Sequence, residues 1–503
     1  MADVVLVFPA FSDQVDRDDT NLRPPLGVLM LASVLLENGV SVRVIDQRVQ
    51  VDWRDVLRAE LESAPLCVGV SSMSGDQIKF ALRTSKFVKE HSGIPVVWGG
   101  VHPILEPSST IQHELVDISC TGEGENVVLP LLEVFKGRQV LENVKGIAFK
   151  KNGEAFFTPP ADKVDLDALP FVPFHLVDMD KYRCSNRFFG FKGDLIIPLE
   201  TSRGCSHRCT FCRESVRRFA WRAMRAERVV EHIEHVIVQY KINTFTFNDD
   251  NFFVDNRRAE KFVSLIEEEG VDIEWYTNVR PDYILRRGPA WLQRLEKAGA
   301  KCLTLGAESG NDDILERMGK GITAEGILRA NRDLAKTSIL TQYVSIPGLP
   351  YDTLDTVKQT YELAIRLMVE NPSADHSFAK LIPTPATVIL EACVQKGYEK
   401  PETLEEWSDI FDFRLKKKSP WIDEDVDAWM HTHQYLEGWK SLRAKYGPAG
   451  RLIFGLLASL FLWRLRQNFY GILLEPKAEL ALRGAKRLLK GIRKLLPVSS
   501  TSS

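Results

Sequence analysis

Short runs of Val, Ile and Leu alternate with amphipathic segments over the first 137 residues. Continuous apolar runs are typical of strands buried on both faces of a parallel sheet, and they occur at residues 4–8, 41–45, 66–71, 95–98 and 116–120. The segments between them predict helices at residues 26–37, 53–62, 76–91 and 125–135. Five such β-α units predict a doubly wound, flavodoxin-like (Rossmann-like) α/β domain over residues 1–137.

Residues 138–194 interrupt this rhythm and are predicted to form a connector. Within it, residues 146–157 have the pattern of a hairpin that turns at Lys151-Asn152-Gly153. A proline-rich stretch follows, with Pro159, Pro160, Pro170 and Pro173.

A second β-α series begins near residue 195. Its predicted strands are residues 195–200, 244–247, 274–278, 302–306, 341–346 and 377–382, and helices fit between them at residues 226–240, 257–268 and 289–298. Six repeats are fewer than a full eightfold barrel of roughly 250 residues contains. We therefore predict a partial (β/α)6 TIM-type barrel with an open side over residues 195–390, followed by a mostly helical region, 391–503.

Composition and charge remove several classes of protein. Hydrophobic residues make up 44% of the chain and charged residues 26%, which excludes a disordered, collagenous or coiled-coil protein. The 65 Lys and Arg against 68 Asp and Glu leave a net charge of −3, so the chain as a whole gives no case for binding nucleic acid. It opens without a basic leader and has no apolar run of roughly 18–20 residues. We expect a cytoplasmic protein.

Three of the eight cysteines form a compact group, Cys205-x3-Cys209-x2-Cys212, directly after the first strand of the second series. Barrel enzymes place their chemistry at this end of the strands, and thiolates suit iron–sulfur clusters or zinc. Structural zinc needs a fourth ligand, for which His207 or a distant cysteine is available. Three thiolates on a cube of four irons leave one iron for another ligand. The scattered remaining cysteines do not form a disulfide framework.

The spacing of this triplet, with Phe211 before its last cysteine, resembles the signature of the radical SAM superfamily. The resemblance implies a [4Fe-4S] cluster on Cys205, Cys209 and Cys212 whose fourth iron binds S-adenosylmethionine (SAM). Reductive cleavage of SAM would give a 5′-deoxyadenosyl radical, with an electron donor such as flavodoxin or ferredoxin. The cofactors supply that chemistry and the protein orients them.

Three further segments are similar to SAM-binding segments of that superfamily. Phe247-Asn248-Asp249-Asp250-Asn251-Phe252 stands where relatives contact the SAM amino group, which makes Asp249 and Asp250 candidates, although a helix N-cap explains such residues equally well. Glu308 and Ser309, in Leu305-Gly306-Ala307-Glu308-Ser309-Gly310, match a segment whose Glu binds the ribose. Pro347 and Gly348 match a segment packed on adenine. Arg280 is similar to an Arg near SAM, and a surface salt bridge is the alternative.

The first domain resembles the cobalamin-binding domain of B12-dependent radical SAM enzymes. The resemblance rests on Pro24-Pro25-Leu26-Gly27 and on three loops that it assigns to the cofactor: Ser71-Ser72-Met73, Gly99-Gly100 before Val101-His102-Pro103, and Gly122-Glu123 before Gly124-Glu125. Some cobalamin enzymes ligate cobalt through a loop histidine, but residues 9–25 contain none. His102 is an alternative ligand, and a domain that only supports the barrel is the other interpretation.

The C-terminal region contains one uncharged apolar segment and one basic segment. Residues 452–463 carry no charge, and residues 477–494 carry seven Lys or Arg against one Glu at helix-like leucine spacing. A basic amphipathic helix can lie on an anionic membrane, or it can pack on the barrel with a solvated basic face. Trp407, Trp421 and Trp429 are candidates for lining the substrate side.

The resemblance therefore implies a B12-dependent radical SAM enzyme. We expect it to be a C-methyltransferase that acts on an unactivated carbon of a small, hydrophobic (lipid-like or tetrapyrrole-like) or secondary-metabolite substrate. The alternatives are an oxidative cyclase or rearrangement enzyme, similar to the anaerobic cyclase of bacteriochlorophyll synthesis, and a non-catalytic Fe–S or cobalamin-binding sensor. A methylthiotransferase fits less well, because Cys67, Cys120 and Cys184 lack the pattern of additional cluster ligands.

Overall fold

The computed structural model describes residues 2–13, 22–183, 190–217, 220–410, 419–433 and 439–467. Two large sheets, the first mostly parallel and the second fully parallel, follow one another along this part of the chain, each with its own helices. The predicted order of a doubly wound domain, a partial barrel and a helical C-terminal region is confirmed.

The N-terminal sheet has the strand order β2-β1-β3-β4-β5-β6-β7. Its strands are β1 (Val4–Phe8), β2 (Val42–Asp46), β3 (Cys67–Ser71), β4 (Val96–Gly99), β5 (Ile118–Cys120), β6 (Ile147–Lys151) and β7 (Glu154–Phe157). Its helices are α1 (Leu26–Glu37), α2 (Trp53–Glu62), α3 (Gln77–His91), α4 (Val101–Leu105), α5 (Pro107–Gln112) and α6 (Glu125–Phe135). The first five strands are parallel, so their carboxyl ends meet at one edge, where ligands of such sheets bind.

The predicted hairpin extends this sheet instead of standing apart in the connector. Strand β6 pairs antiparallel with β5, and β7 pairs antiparallel with β6. The turn uses Asn152 (φ 54°) and Gly153 (φ 86°), and two residues with positive φ match the right-handed twist of a tight hairpin. Short 3-10 turns occupy part of the chain that follows, up to Tyr182.

The second sheet is a six-stranded open barrel with the order β15-β14-β13-β12-β11-β8. Its strands are β8 (Ile197–Leu199), β11 (Thr244–Phe247), β12 (Glu274–Val279), β13 (Ala300–Glu308), β14 (Leu340–Ser345) and β15 (Ala374–Phe378), all parallel to their neighbours. A separate two-stranded ladder joins β9 (Ser202–Arg203) to β10 (Arg222–Ala223). The barrel helices are α7 (Arg213–Arg217), α8 (Ala226–Tyr240), α9 (Asn256–Glu269), α10 (Pro281–Lys297), α11 (Asp312–Arg317), α12 (Ala324–Leu334) and α13 (Leu354–Glu370).

Local sequence explains where several barrel helices begin and end. Helix α9 begins after Asp255, whose carboxylate accepts from the amides of Arg257 and Arg258, and ends at Gly270 with φ 64°. Helix α10 is two segments joined at Gly288 (φ 73°), which precedes Pro289.

The C-terminal region is helical where it is described and packs on helices of both domains. It contains α14 (Val388–Gln395), α15 (Leu404–Ser408), α16 (Glu424–Thr432) and α17 (Trp439–Gln467). Helix α15 packs on α3 of the first domain, whereas α16 and α17 pack on α13 of the barrel. A continuous apolar cluster also runs from α1 through Val172 and Phe174 to α8. No helix among the described residues is long and apolar enough to cross a bilayer.

Candidate functional site

The three cysteines lie on one loop at the carboxyl end of the first barrel strand. Strands β9 and β10 pair at the base of this loop, with Arg203 opposite Arg222. Cys205, Cys209 and Cys212 are all reduced thiols, and Cys209 is buried. The β9-β10 pair therefore joins the two ends of the loop, which carries all three sulfurs at the mouth of the barrel.

Two segments far along the chain fasten this loop. The amide of Thr210 donates to the carbonyl of Met318 over 2.9 Å, and the Thr210 carbonyl accepts from the amide of Ile389 over 3.1 Å. The Cys209 thiol donates to the Gly319 carbonyl at 3.8 Å. The position of the sulfurs is thus set by the loop after α11 and by the start of α14.

Polar N–H groups are directed at the sulfur atoms. Arg280 Nη1 lies 3.6 Å from Cys209 Sγ, and Asn251 Nδ2 lies 3.9 Å from Cys205 Sγ. Burial raises the pKa of Cys205, and it raises the pKa of Cys212 to about 11. Thiolates at such positions need positive charge nearby, which an iron cluster provides. The donor set therefore fits an iron–sulfur cluster.

The zinc alternative finds less support. His207 Nε2 lies 3.2 Å from the Tyr283 hydroxyl. In the described ranges, no three His, Cys, Asp or Glu side chains are grouped so that one metal ion could be held. A cubane differs in its needs, because each thiolate binds a separate iron.

Asp249 and Asp250 have different roles in the structure. Asp249 is buried and accepts from the amide and hydroxyl of Thr201 and from the hydroxyl of Ser202, at 2.6–2.7 Å. Its carboxylate thus holds the strand end before the cysteine loop. Asp250 accepts from the Gly204 amide at 3.3 Å and lies 3.7 Å from Arg213. Neither residue caps a helix, because the cap of α9 is Asp255, so that alternative was wrong.

Asn251 was not singled out by the sequence analysis. Its amide nitrogen points to Cys205, while its Oδ1 atom is buried and has no hydrogen-bond partner among the described residues. A buried carbonyl oxygen without a donor is costly unless a ligand supplies one. Asn251 therefore fits the amino group of SAM at least as well as Asp250 does.

Glu308 forms a buried ion pair at the carboxyl end of β13. Its Oε1 lies 2.7 Å from Lys320 Nζ, with both side chains less than 10% exposed. Glu308 adopts φ 60°, which is uncommon for a residue other than glycine. A Cβ atom on Gly306 would overlap both the carboxylate and the ammonium group. Glycine at 306 therefore makes room for this pair, and Lys320 is a second residue that the sequence analysis missed.

The remaining predicted barrel residues surround this pair or support it. Arg280 is 9% exposed, forms an ion pair with Asp282 at 2.9 Å and contacts the Lys320 carbonyl. The salt bridge considered for it is therefore present, but it is largely buried and does not lie on the surface. The Ser309 hydroxyl lies 3.1 Å from the hydroxyl of Thr360 in α13. Phe211 is half-buried against the apolar cluster beneath the loop.

Pro347 and Gly348 lie beneath the C-terminal region. Gly348 has φ 84°, and a Cβ atom there would meet Ile422 at 2.8 Å and Met430 at 3.2 Å. The indole of Trp421 donates to the Gly348 carbonyl at 3.1 Å. Side chains of the C-terminal region thus cover the α-carbon of Gly348. The packing of adenine on this glycine stays a prediction.

The inner face of the barrel sheet is polar in its middle. Partners in register on parallel strands share a face, and Asn278, Thr304, Gln342 and Asp375 form one such row. Asn278 is exposed and the other three are partly exposed, although helices cover the opposite face. At the amino end of the strands, an apolar cluster that includes Phe191 closes this lumen.

In the N-terminal domain, the loops after β3 and β4 approach each other through backbone. The Ser72 amide donates to the Gly99 carbonyl at 2.8 Å. Gly100 has φ 99°, and a Cβ atom there would lie 2.8 Å from the Ser72 carbonyl oxygen and 3.2 Å from the Ser71 hydroxyl. Only glycine fits such a close approach. Met73 is 39% exposed at the same edge, whereas Ser72 is fully buried. The cobalamin contact predicted for these residues stays a prediction.

His102 is buried beside this surface. Its Nδ1 lies 2.9 Å from the Ser74 hydroxyl, its Nε2 has no partner among the described residues, and burial lowers its pKa to about 3. The ring centroid is 6.0 Å from that of Trp407. His102 is therefore a neutral, packed imidazole.

Gly122 and Glu123 occupy the loop after β5. Glu123 is 7% exposed, accepts from the Val164 amide at 3.0 Å and contacts Arg203 and Arg222 of the barrel. Its carboxylate thus faces the other domain. The cobalamin contact predicted for Gly122 and Glu123 has not been tested.

The tryptophans proposed as substrate lining are core residues. Trp407 and Trp421 are 0% and 1% exposed, and Trp429 is 8% exposed against Tyr361. The prediction that they line a substrate site was wrong, because these indoles fill the contact of the C-terminal region with the two sheets.

Comparison with known proteins identifies two domains in this chain. The B12 binding domain family matches residues 20–132, and the radical SAM superfamily matches residues 199–364. An uncharacterized methyltransferase of Pyrococcus horikoshii is 28% identical, over 78% of this chain and 83% of its own length. The anaerobic magnesium-protoporphyrin IX monomethyl ester cyclase of Synechocystis is 27% identical, over 66% of each chain.

The solved structures agree on the fold. The cobalamin-dependent S-adenosylmethionine radical enzyme OxsB, with aqua-cobalamin and S-adenosylmethionine bound, has a TM-score of 0.66 and 19% identity. The match covers 97% of this chain and 75% of OxsB. The radical SAM domain implies a [4Fe-4S] cluster and SAM as cofactors, and the B12 binding domain implies cobalamin. The chain is therefore a radical SAM enzyme whose N-terminal domain matches the B12 binding domain family.

Proposed function

We propose that this enzyme is a cobalamin-dependent C-methyltransferase that methylates an unactivated carbon of a small-molecule substrate. The observation that carries the proposal is the arrangement at the barrel mouth. The loop with Cys205, Cys209 and Cys212 contacts the segment that holds Lys320 and Glu308. Helix α4, which follows the Gly99-Gly100 loop, packs on α7 directly after Cys212. Groups bound at the two loop systems therefore have neighbouring sites.

Each part of the mouth has a distinct task in this proposal. The three thiols hold the cluster, Asn251 and Asp250 accept from the amino group of SAM, and Glu308 accepts from its ribose. Lys320 pairs with Glu308 at 2.7 Å and fixes the direction of its carboxylate. When bound, the cofactors supply the reducing electron, the group that removes hydrogen from the substrate and the methyl group.

The lumen adds a condition on the substrate. Asn278, Thr304, Gln342 and Asp375 present amide, hydroxyl and carboxylate groups to the lumen, and a few placed polar groups of this kind orient a ligand in a pocket. We propose that the part of the substrate that enters the barrel carries hydroxyl or amide groups. A hydrophobic or tetrapyrrole-like remainder stays a prediction.

An oxidative cyclase or rearrangement enzyme is the second candidate, because the 27% identical relative is such a cyclase. Such an enzyme would cleave SAM without transferring its methyl group. A non-catalytic sensor would bind the cofactors and cleave nothing.

Anaerobic purification with iron, cobalt and spectroscopic analysis, followed by incubation with SAM labelled as CD3, separates these functions without a known substrate. We expect about four irons and one corrin per chain, CD3-cobalamin by mass spectrometry, and 5′-deoxyadenosine after reduction. Formation of 5′-deoxyadenosine without CD3-cobalamin would favour the cyclase class. Bound cofactors without either product would favour the sensor.

We also propose that an electron donor such as flavodoxin or ferredoxin reduces the enzyme.

We propose further that the C-terminal region touches the membrane surface. Helix α17 exposes Leu452, Leu456 and Trp463 at spacings of four and seven, which place them on one side of the helix. The basic segment 477–494 lies outside the described residues; its composition suits an anionic interface.

Flotation with phosphatidylglycerol liposomes tests this contact. We expect the full chain to float and Leu456→Gln/Trp463→Gln to bind less. Equal flotation of the double variant would contradict the role of α17. Wild-type protein that stays at the bottom of the gradient would contradict membrane binding altogether.

A further inference from the structure

A buried ionic network joins the loop after β5 to the base of the cysteine loop. Arg203 is 8% exposed; its Nη2 lies 2.5 Å from Glu125 Oε1, its Nε lies 2.7 Å from Glu200 Oε2, and its Nη1 lies 3.4 Å from Glu123 Oε1. Arg222 contacts the same Oε1 atom of Glu123. Two carboxylates of the B12-binding domain therefore contact the ladder from which the cysteine loop projects.

This contact offsets the repulsion between two arginines at the base of the cysteine loop. Arg203 and Arg222 are direct partners in the two-stranded ladder β9-β10, and like charges directly opposite each other destabilise a strand pair. Glu123 lies between the two guanidinium groups. Burial alone would raise the pKa of Glu123, but Arg203, the Val164 amide and Arg222 together lower it. The carboxylate is therefore ionised and holds the two arginines together.

The ladder in turn fixes the cluster ligands. Arg203 stands two residues before Cys205, and the β9-β10 ladder closes the whole loop that contains the three cysteines. A loop whose ends separate loses the alignment of its sulfurs, and metal sites respond strongly to the residues that orient their ligands.

We propose that Glu123 and Glu125 are positioning residues for the cluster and not contacts of cobalamin. The B12-binding domain thus supplies the anions that complete the base of the cysteine loop, so the cluster site is incomplete without the neighbouring domain. This inference rests on the proposed function only in taking Cys205, Cys209 and Cys212 as the cluster ligands.

Glu123→Gln, Glu125→Gln and Arg222→Gln, each reconstituted with iron, sulfide and cobalamin, test it. The readouts are the electron paramagnetic resonance spectrum and midpoint potential of the cluster with SAM, and the Kd of cobalamin by absorbance. We expect an altered cluster spectrum, a shifted potential and a loss of about tenfold in 5′-deoxyadenosine formation, with an unchanged cobalamin Kd. Glu260→Gln, which breaks a partly buried contact with Arg287 and Arg294 far from the cysteine loop in sequence, is the matched control.

The opposite pattern would overturn the proposal: weaker cobalamin binding with an unchanged cluster spectrum, or no change in either. The Glu123→Gln/Arg222→Gln double variant distinguishes the loss of this one contact from a general folding defect. Because both changes break one contact, we expect their effects on the potential to be less than additive. Additive effects would contradict the shared contact. A wild-type protein without iron would instead defeat the proposed function itself.

Discussion

The two large sheets of this enzyme hold their ligand-facing loops by different means. In the N-terminal domain, backbone approaches backbone, as between Gly100 and Ser72. At the barrel mouth, buried ions hold the loops: Glu308 with Lys320, and Arg203 with its three glutamates. A large planar ligand needs a surface free of bulky side chains, whereas a charged cofactor needs fixed charges around it. The two sites should therefore fail separately and through different substitutions.

The largest effect is expected from Cys209→Ala. Removal of one of three thiolates should abolish the cluster and lower 5′-deoxyadenosine formation by more than about 100-fold, since orienting residues alone account for 10–100-fold. Iron analysis and product assays measure this, and cobalamin binding should be retained.

Cys67→Ala is the control, because Cys67 is a buried thiol in β3 of the other sheet. It should keep its iron. A Cys209→Ala variant with full activity would remove the basis of the barrel site.

The second-largest effect is expected from Lys320→Met, which should lower the free energy of unfolding. Removing one partner of a buried ion pair typically costs about 3–5 kcal/mol, because the other charge is left unpaired. Urea unfolding should show this loss, and SAM should bind more weakly. The double variant Glu308→Gln/Lys320→Met should recover part of the stability; an equally unstable double variant would mean that the pair is not the cause.

Gly100→Ala should damage only the corrin site. A side chain at φ 99° that also approaches the Ser72 carbonyl should cost about 1–3 kcal/mol and lower the cobalt content, while iron is unchanged. Gly27→Ala is the matched control, because a Cβ atom there meets nothing within 4 Å. Cobalt content equal to that of the wild type would contradict the backbone approach.

The smallest effect concerns pH. Burial lowers the pKa of His102 to about 3, below the unfolded value of about 6.5, so the unfolded chain binds more protons between these values and stability falls as the pH falls from 7. At pH 5 the loss is about 2 kcal/mol. Thermal unfolding at pH 7 and pH 5 should show a smaller loss for His102→Gln; an identical pH dependence would contradict this origin.

Much of the fold was predictable because short apolar runs of strand length alternate with longer segments of helix length along the chain. Helices α1, α2, α6 and α8 have the predicted bounds. Helices α4 and α5 were missed, since five or six residues with Pro103 and Pro107 carry no clear period. Strand β15 begins earlier than predicted, because Asp375 faces the polar lumen and hides the apolar pattern.

The candidate site was predictable where residues that are close together in sequence form it. The spacing of the cysteines is local, and they share one loop. Asn251 and Lys320 were missed because their importance arises from partners distant in the chain, such as Cys205 for Asn251. Glu123 was assigned to cobalamin from resemblance, and its arginine partners lie about 80 and 100 residues downstream.

The fastening of the cysteine loop has a consequence for how the enzyme matures in the cell. A ribosome that has just added Cys212 must still synthesise Met318 and Ile389 before Thr210 finds its backbone partners. The cluster pocket is therefore completed only late in translation. Machinery that delivers iron and sulfide must act on a chain that is almost finished, and nascent chains that stop before Ile389 should lose the cluster readily.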